Sequence, residues 1–146
     1  MSLPHILFID DEPSLCLAMR LLLERHGFAV RTTMTMDGAV AEVRSTRFDA
    51  VVLDFWLYQL AKGRGGPGDL LYAELVALDS ELSRRIIFVT GDPGDPTRAR
   101  MEKTGASYLL KPFEIGLLVN SLRAIIDTEG VRPAARTSEQ TGTRSA

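Results

Sequence analysis

The residues best suited to chemistry in this chain are carboxylates and a lysine placed where apolar runs stop. Ala50-Val51-Val52-Leu53 ends abruptly on Asp54, and His5-Ile6-Leu7-Phe8-Ile9 ends on Asp10, Asp11 and Glu12. Arg85-Ile86-Ile87-Phe88-Val89 ends on Thr90-Gly91, and Ser107-Tyr108-Leu109-Leu110 ends on Lys111-Pro112. Taken alone, Asp54 admits two readings: a polar stop that ends a strand, or a reactive group at the crevice where open α/β sheets bind ligands. The other strand ends favour the second. Crowded carboxylates raise one another's pKa unless a cation intervenes. A hard divalent ion such as Mg2+ takes oxygen donors and keeps several waters, so two carboxylates and a main-chain carbonyl suffice to hold it. With that ion and Lys111 nearby, one carboxylate can attack phosphorus while the Thr90 hydroxyl donates to the transferred phosphoryl oxygens, giving an aspartyl phosphate.

Elements must bring these residues together. Short β-prone runs at 5–9, 28–33, 48–54, 85–89 and 107–110 predict five strands, the first, third and fourth apolar enough to be buried on both faces. Helical patterns separate them. One starts at Pro13 and stops at His26-Gly27; a short one over 38–45 carries Val40 and Val43; a third buries Leu70, Leu71, Leu75 and Leu78. Asp95-Pro96 caps and starts a fourth that closes at Gly105, and Ile115, Leu118, Val119, Leu122, Ile125 and Ile126 give the fifth a strong amphipathic repeat. The fold class that follows is α/β: a (βα)5 doubly wound parallel sheet with right-handed crossovers and strand order 2-1-3-4-5. In that order the ends of strands one, three, four and five meet on one edge. Helix four has little beyond Ala99 and Met101 to bury, which predicts comparative mobility.

Two stretches fall outside the regular pattern. Residues 55–68 read as a long surface loop; its glycine-rich stretch, Lys62-Gly63-Arg64-Gly65-Gly66-Pro67-Gly68, lacks the Gly-Lys-Ser/Thr ending of a nucleotide-binding loop and follows no strand directly. From about Thr128 to Ala146 the composition turns to Gly, Pro, Thr, Ser, Arg and Gln, so the expected domain spans 4–127 and 128–146 is expected to be a disordered tail or linker.

Composition excludes other classes. The chain has 146 residues, 45% of them hydrophobic and 25% charged, enough for one domain with a single real core. A net charge of -2 offers no basic field for a phosphate backbone, which argues against direct nucleic-acid binding. Cys16 is the sole cysteine and lies among leucines, so no disulfide framework is expected and a reducing, cytoplasmic setting is. No apolar run is long enough to span a membrane, and no signal segment precedes the first strand.

The set as a whole resembles the response regulator receiver domain of two-component signalling, a flavodoxin-like fold, from the first strand to the last helix. Asp10-Asp11, Asp54, Thr90 followed by a small residue, and Lys111-Pro112 stand in the family's order and near its spacing. The resemblance implies Asp54 as phosphoacceptor, Asp11 as a direct Mg2+ ligand with Asp54 and the main-chain carbonyl of Trp56, and Asp10 as a ligand through water. It implies that Lys111 pairs with the phosphoryl group, that Thr90 and Tyr108 are the switch hydroxyl and switch aromatic, and that Lys111-Pro112 is cis. Implied partners are a histidine kinase or histidine phosphotransfer protein as donor and a downstream protein at the face of helix four, strand five and helix five. Residues 89–113 look more like receivers attached to hybrid histidine kinases. There are departures: Tyr58 stands where the family places proline, and the following loop is several residues longer. Trp56, two residues beyond the acceptor, is placed to shield the phosphoryl group and replaces the second aspartate that a haloacid dehalogenase-type phosphatase requires. A flavin-binding module of similar layering is disfavoured because no hydroxyl-rich loop follows the first strand. A receiver-like interaction module that is never phosphorylated is the remaining alternative.

Overall fold

In the computed structural model, which describes residues 3–57, 64–92 and 94–133, the apolar runs become five parallel strands. They are β1 (His5–Ile9), β2 (Ala29–Thr33), β3 (Ala50–Asp54), β4 (Ile86–Thr90) and β5 (Ser107–Leu110). Their order is β2-β1-β3-β4-β5, as expected. β3 and β4 are buried at every residue, because helices cover both faces of the sheet centre.

Alternation along the strands sorts the core into two layers. Leu7, Ile9, Val51, Leu53, Ile86 and Phe88 face a layer built by α2 (Met36–Ser45), α3 (Gly68–Leu78) and Met101 of α4 (Asp95–Thr104). Ile6, Phe8, Ala50, Val52, Ile87 and Val89 face α1 (Pro13–Arg25) and α5 (Ile115–Glu129). Among the described residues no helix is long and apolar enough to cross a membrane.

Several local expectations are corrected. α2 begins at Met36 because Thr35 Oγ1 accepts from the Gly38 N–H at 2.9 Å, which caps a helix two residues longer than the apolar spacing suggested. α3 buries Leu71 and Leu75 together with Gly68, while Leu70 stands 54% exposed. Asp95 is the first residue of α4 rather than its cap; Gly94 holds the cap position, and Asp95 pairs with Arg98 instead.

The segment read as an irregular surface loop is partly built into the core. Phe55 and Leu57 are buried, and Trp56–Leu57 pairs antiparallel with Gly66–Pro67 in a small ribbon. Gly66 takes φ 148, which favours glycine, and a Cβ on Gly68 would come within 3.0 Å of the Phe55 backbone. Arg64 fixes the foot of the segment, binding Glu74 of α3 at 2.6 and 2.8 Å and Asp37 of α2 at 3.3 Å. Tyr58, Lys62 and Gly63 lie outside the described residues.

Ordered structure continues past residue 127. α5 continues to Glu129, and the chain then turns under the sheet's amino edge, where Arg132 is buried. Its guanidinium grips Asp79 at 2.8 and 2.9 Å and the Phe48 carbonyl at 3.0 Å, while its N–H donates to Asp49 Oδ1 at 2.6 Å. Residues 134–146, the rest of the expected tail, lie outside the described residues.

Candidate functional site

The strand order reverses between β1 and β3, since β2 lies on one side of β1 and the later strands on the other. That switch point opens the crevice at the carboxyl edge. The register sets Ile9 beside Leu53 and Asp54 beside Val89, so the acids that follow β1 and the acid that ends β3 arrive together. Carboxylate oxygens of Asp10, Asp11 and Asp54 all lie within 4.8 Å of one another. Lys111 reaches in from the end of β5. Its Nζ donates to Asp10 Oδ2 at 2.9 Å and stands 3.6 Å from Asp54 Oδ1. The backbone anchors it there, because the Lys111 N–H donates to the Thr90 carbonyl at 2.8 Å. The Lys111–Pro112 bond is cis. Asp10 is fixed from behind as well: its Oδ1 accepts the Glu12 N–H at 3.0 Å, and its carbonyl accepts the Cys16 thiol at 3.2 Å.

The closeness of the acids shows in their electrostatics. Burial first, then the Asp10 charge and more weakly Asp11, push the Asp54 carboxyl up to about 7, with Lys111 pulling the other way. Burial works to lower the Lys111 ammonium, but its hydrogen bond to Asp10 and the charges of Asp54 and Asp10 outweigh it and hold the pKa above its ordinary value. Burial and the Asp10 charge push the Cys16 thiol up to about 11, which leaves it a neutral packing group and not a nucleophile. All donors in the cluster are hard oxygens, and Asp10 and Asp54 are buried. The set therefore fits a hard divalent cation.

Thr90 and Trp56 flank this cluster. Thr90 is buried at the end of β4, and its Oγ1 accepts the Asp92 N–H at 3.0 Å. Trp56 is half-buried, and its indole N–H donates to Thr97 Oγ1 of α4 at 3.3 Å. Tyr108 sits apart from the acids. Its ring is half-buried against the α2–α3 layer, and its hydroxyl meets Glu102 of α4 at 3.3 Å near the surface.

The family model described as "Response regulator receiver domain" matches residues 6–123. The chain belongs to that family. A curated relative, the nitrogen assimilation regulatory protein NtrX of Azorhizobium caulinodans, is 28% identical over 136 residues, 92% of this chain but 29% of its own length. The chain spans between 25% and 52% of the length of the curated relatives it matches. Among solved structures, a CheY-like response regulator receiver domain protein from Methanospirillum hungatei superposes with a TM-score of 0.77 at 22% identity, covering 88% of this chain and 97% of that one. A response regulator protein from Burkholderia pseudomallei, described with a phosphorylated aspartic acid, a calcium ion and citrate, superposes with a TM-score of 0.71 at 26% identity; the match covers 86% of this chain and 71% of that one.

In this receiver, the cluster formed by Asp10, Asp11, Asp54 and Lys111 was legible as strand ends. Asp92, Thr97 and Arg100 were not singled out, although all three surround Trp56 or Thr90. A usable signal was present: the sequence of helix four offers little beyond Ala99 and Met101 to bury, which left room for polar anchors; in the structure Thr97 and Met101 are buried and Ala99 is exposed.

Proposed function

We propose that Asp54 accepts a phosphoryl group from a phosphohistidine of a histidine kinase or histidine phosphotransfer protein, in a Mg2+-dependent reaction that switches a partner-binding face. The observation that carries this reading is the convergence of Asp10, Asp11, Asp54 and the Lys111 ammonium on one crevice. A carboxylate oxygen of Asp54 attacks phosphorus as the donor's P–N bond breaks, and the electron pair returns to the imidazole nitrogen. Mg2+, when bound by Asp11, Asp54 and the Trp56 main-chain carbonyl, and through water by Asp10, supplies positive charge that keeps Asp54 ionised and offsets charge on the phosphoryl oxygens. Lys111 is within 3.6 Å of Asp54 and turns from Asp10 to an oxygen of the new phosphoryl group. Thr90 donates its hydroxyl to another, and Tyr108 follows into the space that Thr90 leaves. The face of α4, β5 and α5 carries the output, with Leu110 47% exposed on it. The domain promotes only its own phosphorylation and dephosphorylation, in the cytoplasm, with no direct role for nucleic acid.

Intact-mass measurement after incubation with acetyl phosphate tests the reading. Wild type gains one phosphoryl group in Mg2+ and none in chelator, and Asp54→Asn gains none in either. Equal labelling of the two proteins would remove Asp54 as acceptor. The alternative of a never-phosphorylated interaction module requires that wild type stay unlabelled at saturating donor and Mg2+.

A further inference from the structure

α4 is held less by apolar packing than by a file of polar contacts leading back to the acceptor loop. Trp56 Nε1 donates to Thr97 Oγ1 at 3.3 Å, and Thr97 Oγ1 donates to Asp92 Oδ2 at 2.6 Å. The Asp92 N–H in turn donates to Thr90 Oγ1 at 3.0 Å. Three residues along α4, on the same helix face, the Arg100 guanidinium lies 5.8 Å from the Trp56 ring centroid and is held there by Asp69 of α3 at 2.9 Å. The indole is thus gripped by α4 at Thr97 and Arg100. Its own backbone leaves the buried end of β3 two residues after Asp54.

Resting on the reading of Asp54 as phosphoacceptor, we propose that Trp56 and Thr97 form a latch that holds α4 in its unphosphorylated position and opens when Thr90 turns toward the phosphoryl group. A single residue, Asp92, joins Thr90 to Thr97, its N–H on one and its carboxylate on the other. Thr90 cannot swing toward Asp54 without either dropping the Asp92 N–H or drawing Asp92 along, and both load the contact between Asp92 and Thr97. Thr97 is buried, so it has no water to replace the lost partners while it stays in place. Release of the indole and displacement of the helix amino end are therefore one event. Trp56 acts here as a positioning residue, with its side chain coupling acceptor loop to helix.

A contact made in one state alone biases a two-state equilibrium by its own strength. The Trp56 bond is long for its kind, so its removal is expected to shift the equilibrium about threefold. The experiment is calorimetric titration of beryllofluoride, a phosphoryl mimic, into the Mg2+-loaded protein. Thr97→Val, which keeps shape and removes the hydroxyl, lowers the dissociation constant about threefold, and Thr97→Ser restores the wild-type value. Trp56→Phe also lowers it, and the double variant with Thr97→Val does no more than Thr97→Val alone. Trp56 is the one tryptophan in the sequence, so its emission reports the latch: Thr97→Val without beryllofluoride emits as wild type does with it. A Thr97→Val constant equal to or weaker than wild type overturns the latch, as does a Thr97→Ser that behaves like Thr97→Val. Wild type that binds no beryllofluoride in Mg2+ overturns the phosphoacceptor reading itself, and the latch with it.

Discussion

Replacing Asp54 with asparagine should make the metal-free fold more stable at neutral and alkaline pH, even though it deletes the proposed reactive group. Burial, then the Asp10 charge, lift the Asp54 carboxyl from its ordinary 3.8 to about 7 in the folded protein. A group whose folded pKa is raised binds its proton more tightly in the native state. The stability linked to it is full below about pH 4 and is lost as pH rises to about 7. Over the interval from 3.8 to about 7, the loss amounts to about 4 kcal/mol at pH 8 and about 2 kcal/mol at pH 5. Asparagine carries no charge at any of these pH values and escapes the loss. Urea unfolding of wild type and Asp54→Asn in chelator, at pH 5, 6, 7 and 8, should show the variant ahead by a margin that widens with pH. Saturating Mg2+ should then close the gap, because it binds the native wild-type site and stabilises it by mass action. A margin that does not change between pH 5 and 8, or a variant less stable than wild type at pH 8, would refute the claim that Asp54 is ionised at a cost set by its surroundings.

Further outcomes follow from other parts of the structure. Arg132→Ala removes one half of the buried pair with Asp79, together with the bond to the Phe48 carbonyl, and should cost about 3–5 kcal/mol in urea unfolding; truncation after residue 127 should cost at least as much, and unchanged stability in both would exclude this anchor. Asp11→Asn relieves repulsion in the acid cluster, so it should raise the melting midpoint of the metal-free protein while abolishing most of the rise that Mg2+ gives wild type; an equal rise in both would remove Asp11 as a ligand. Phe88→Ala in the fully buried centre of β4 should cost about 3–5 kcal/mol by calorimetry or urea, and a cost below about 1 kcal/mol would contradict the packing described for that layer. Hydrogen exchange with and without beryllofluoride should change protection within residues 90–112, and changes confined to α1 and α2 would contradict the proposed output face.

Most of the sheet and of the acid cluster was legible because both obey simple rules. Apolar runs of strand length that stop on charge can be read without knowing what lies beside them, and a doubly wound order then carries Asp10, Asp11, Asp54 and Lys111 to one edge. What escaped depended on partners far away in sequence. Thr35 caps α2 through a local hydrogen bond that hydrophobic spacing does not register. Phe55 and Leu57 looked like loop residues because the glycines after them dominated the segment, yet the ribbon with Gly66–Pro67 folds them inward. Arg132 stood in a stretch with tail-like composition. Its site is assembled from Phe48, Asp49 and Asp79, which only the finished fold brings together. A hint was available in Asp49 and Arg85, charged residues set directly before two fully buried strands, where an unpartnered charge is not tolerated.

The two edges of the sheet treat buried charge differently, and the contrast bears on the proposed chemistry. At the amino edge the described buried charges are held by local hydrogen bonds. Asp79 faces Arg132 through two hydrogen bonds, Asp49 accepts the N–H groups of His5 and Arg132, and Arg85 donates to the carbonyls of Asp49, Glu129 and Gly130. These bonds tie α5 and the segment after it to the strands. At the carboxyl edge Asp10 and Asp54 share Lys111, with Asp11 beside them, so that acids crowd one crevice. That edge is destabilising on its own, by the same few kcal/mol that lift Asp54 to about 7. Under the proposed function, a divalent cation's arrival and the ionisation of Asp54 reinforce each other, because each lowers the free energy of the other. A receiver with Asp10 replaced by a neutral residue should for this reason gain stability without metal and lose part of the coupling between Mg2+ binding and Asp54 ionisation. A pH titration of Mg2+ affinity would show it as a shallower dependence between pH 5 and 8, and an unchanged slope would separate the acid cluster from the metal response.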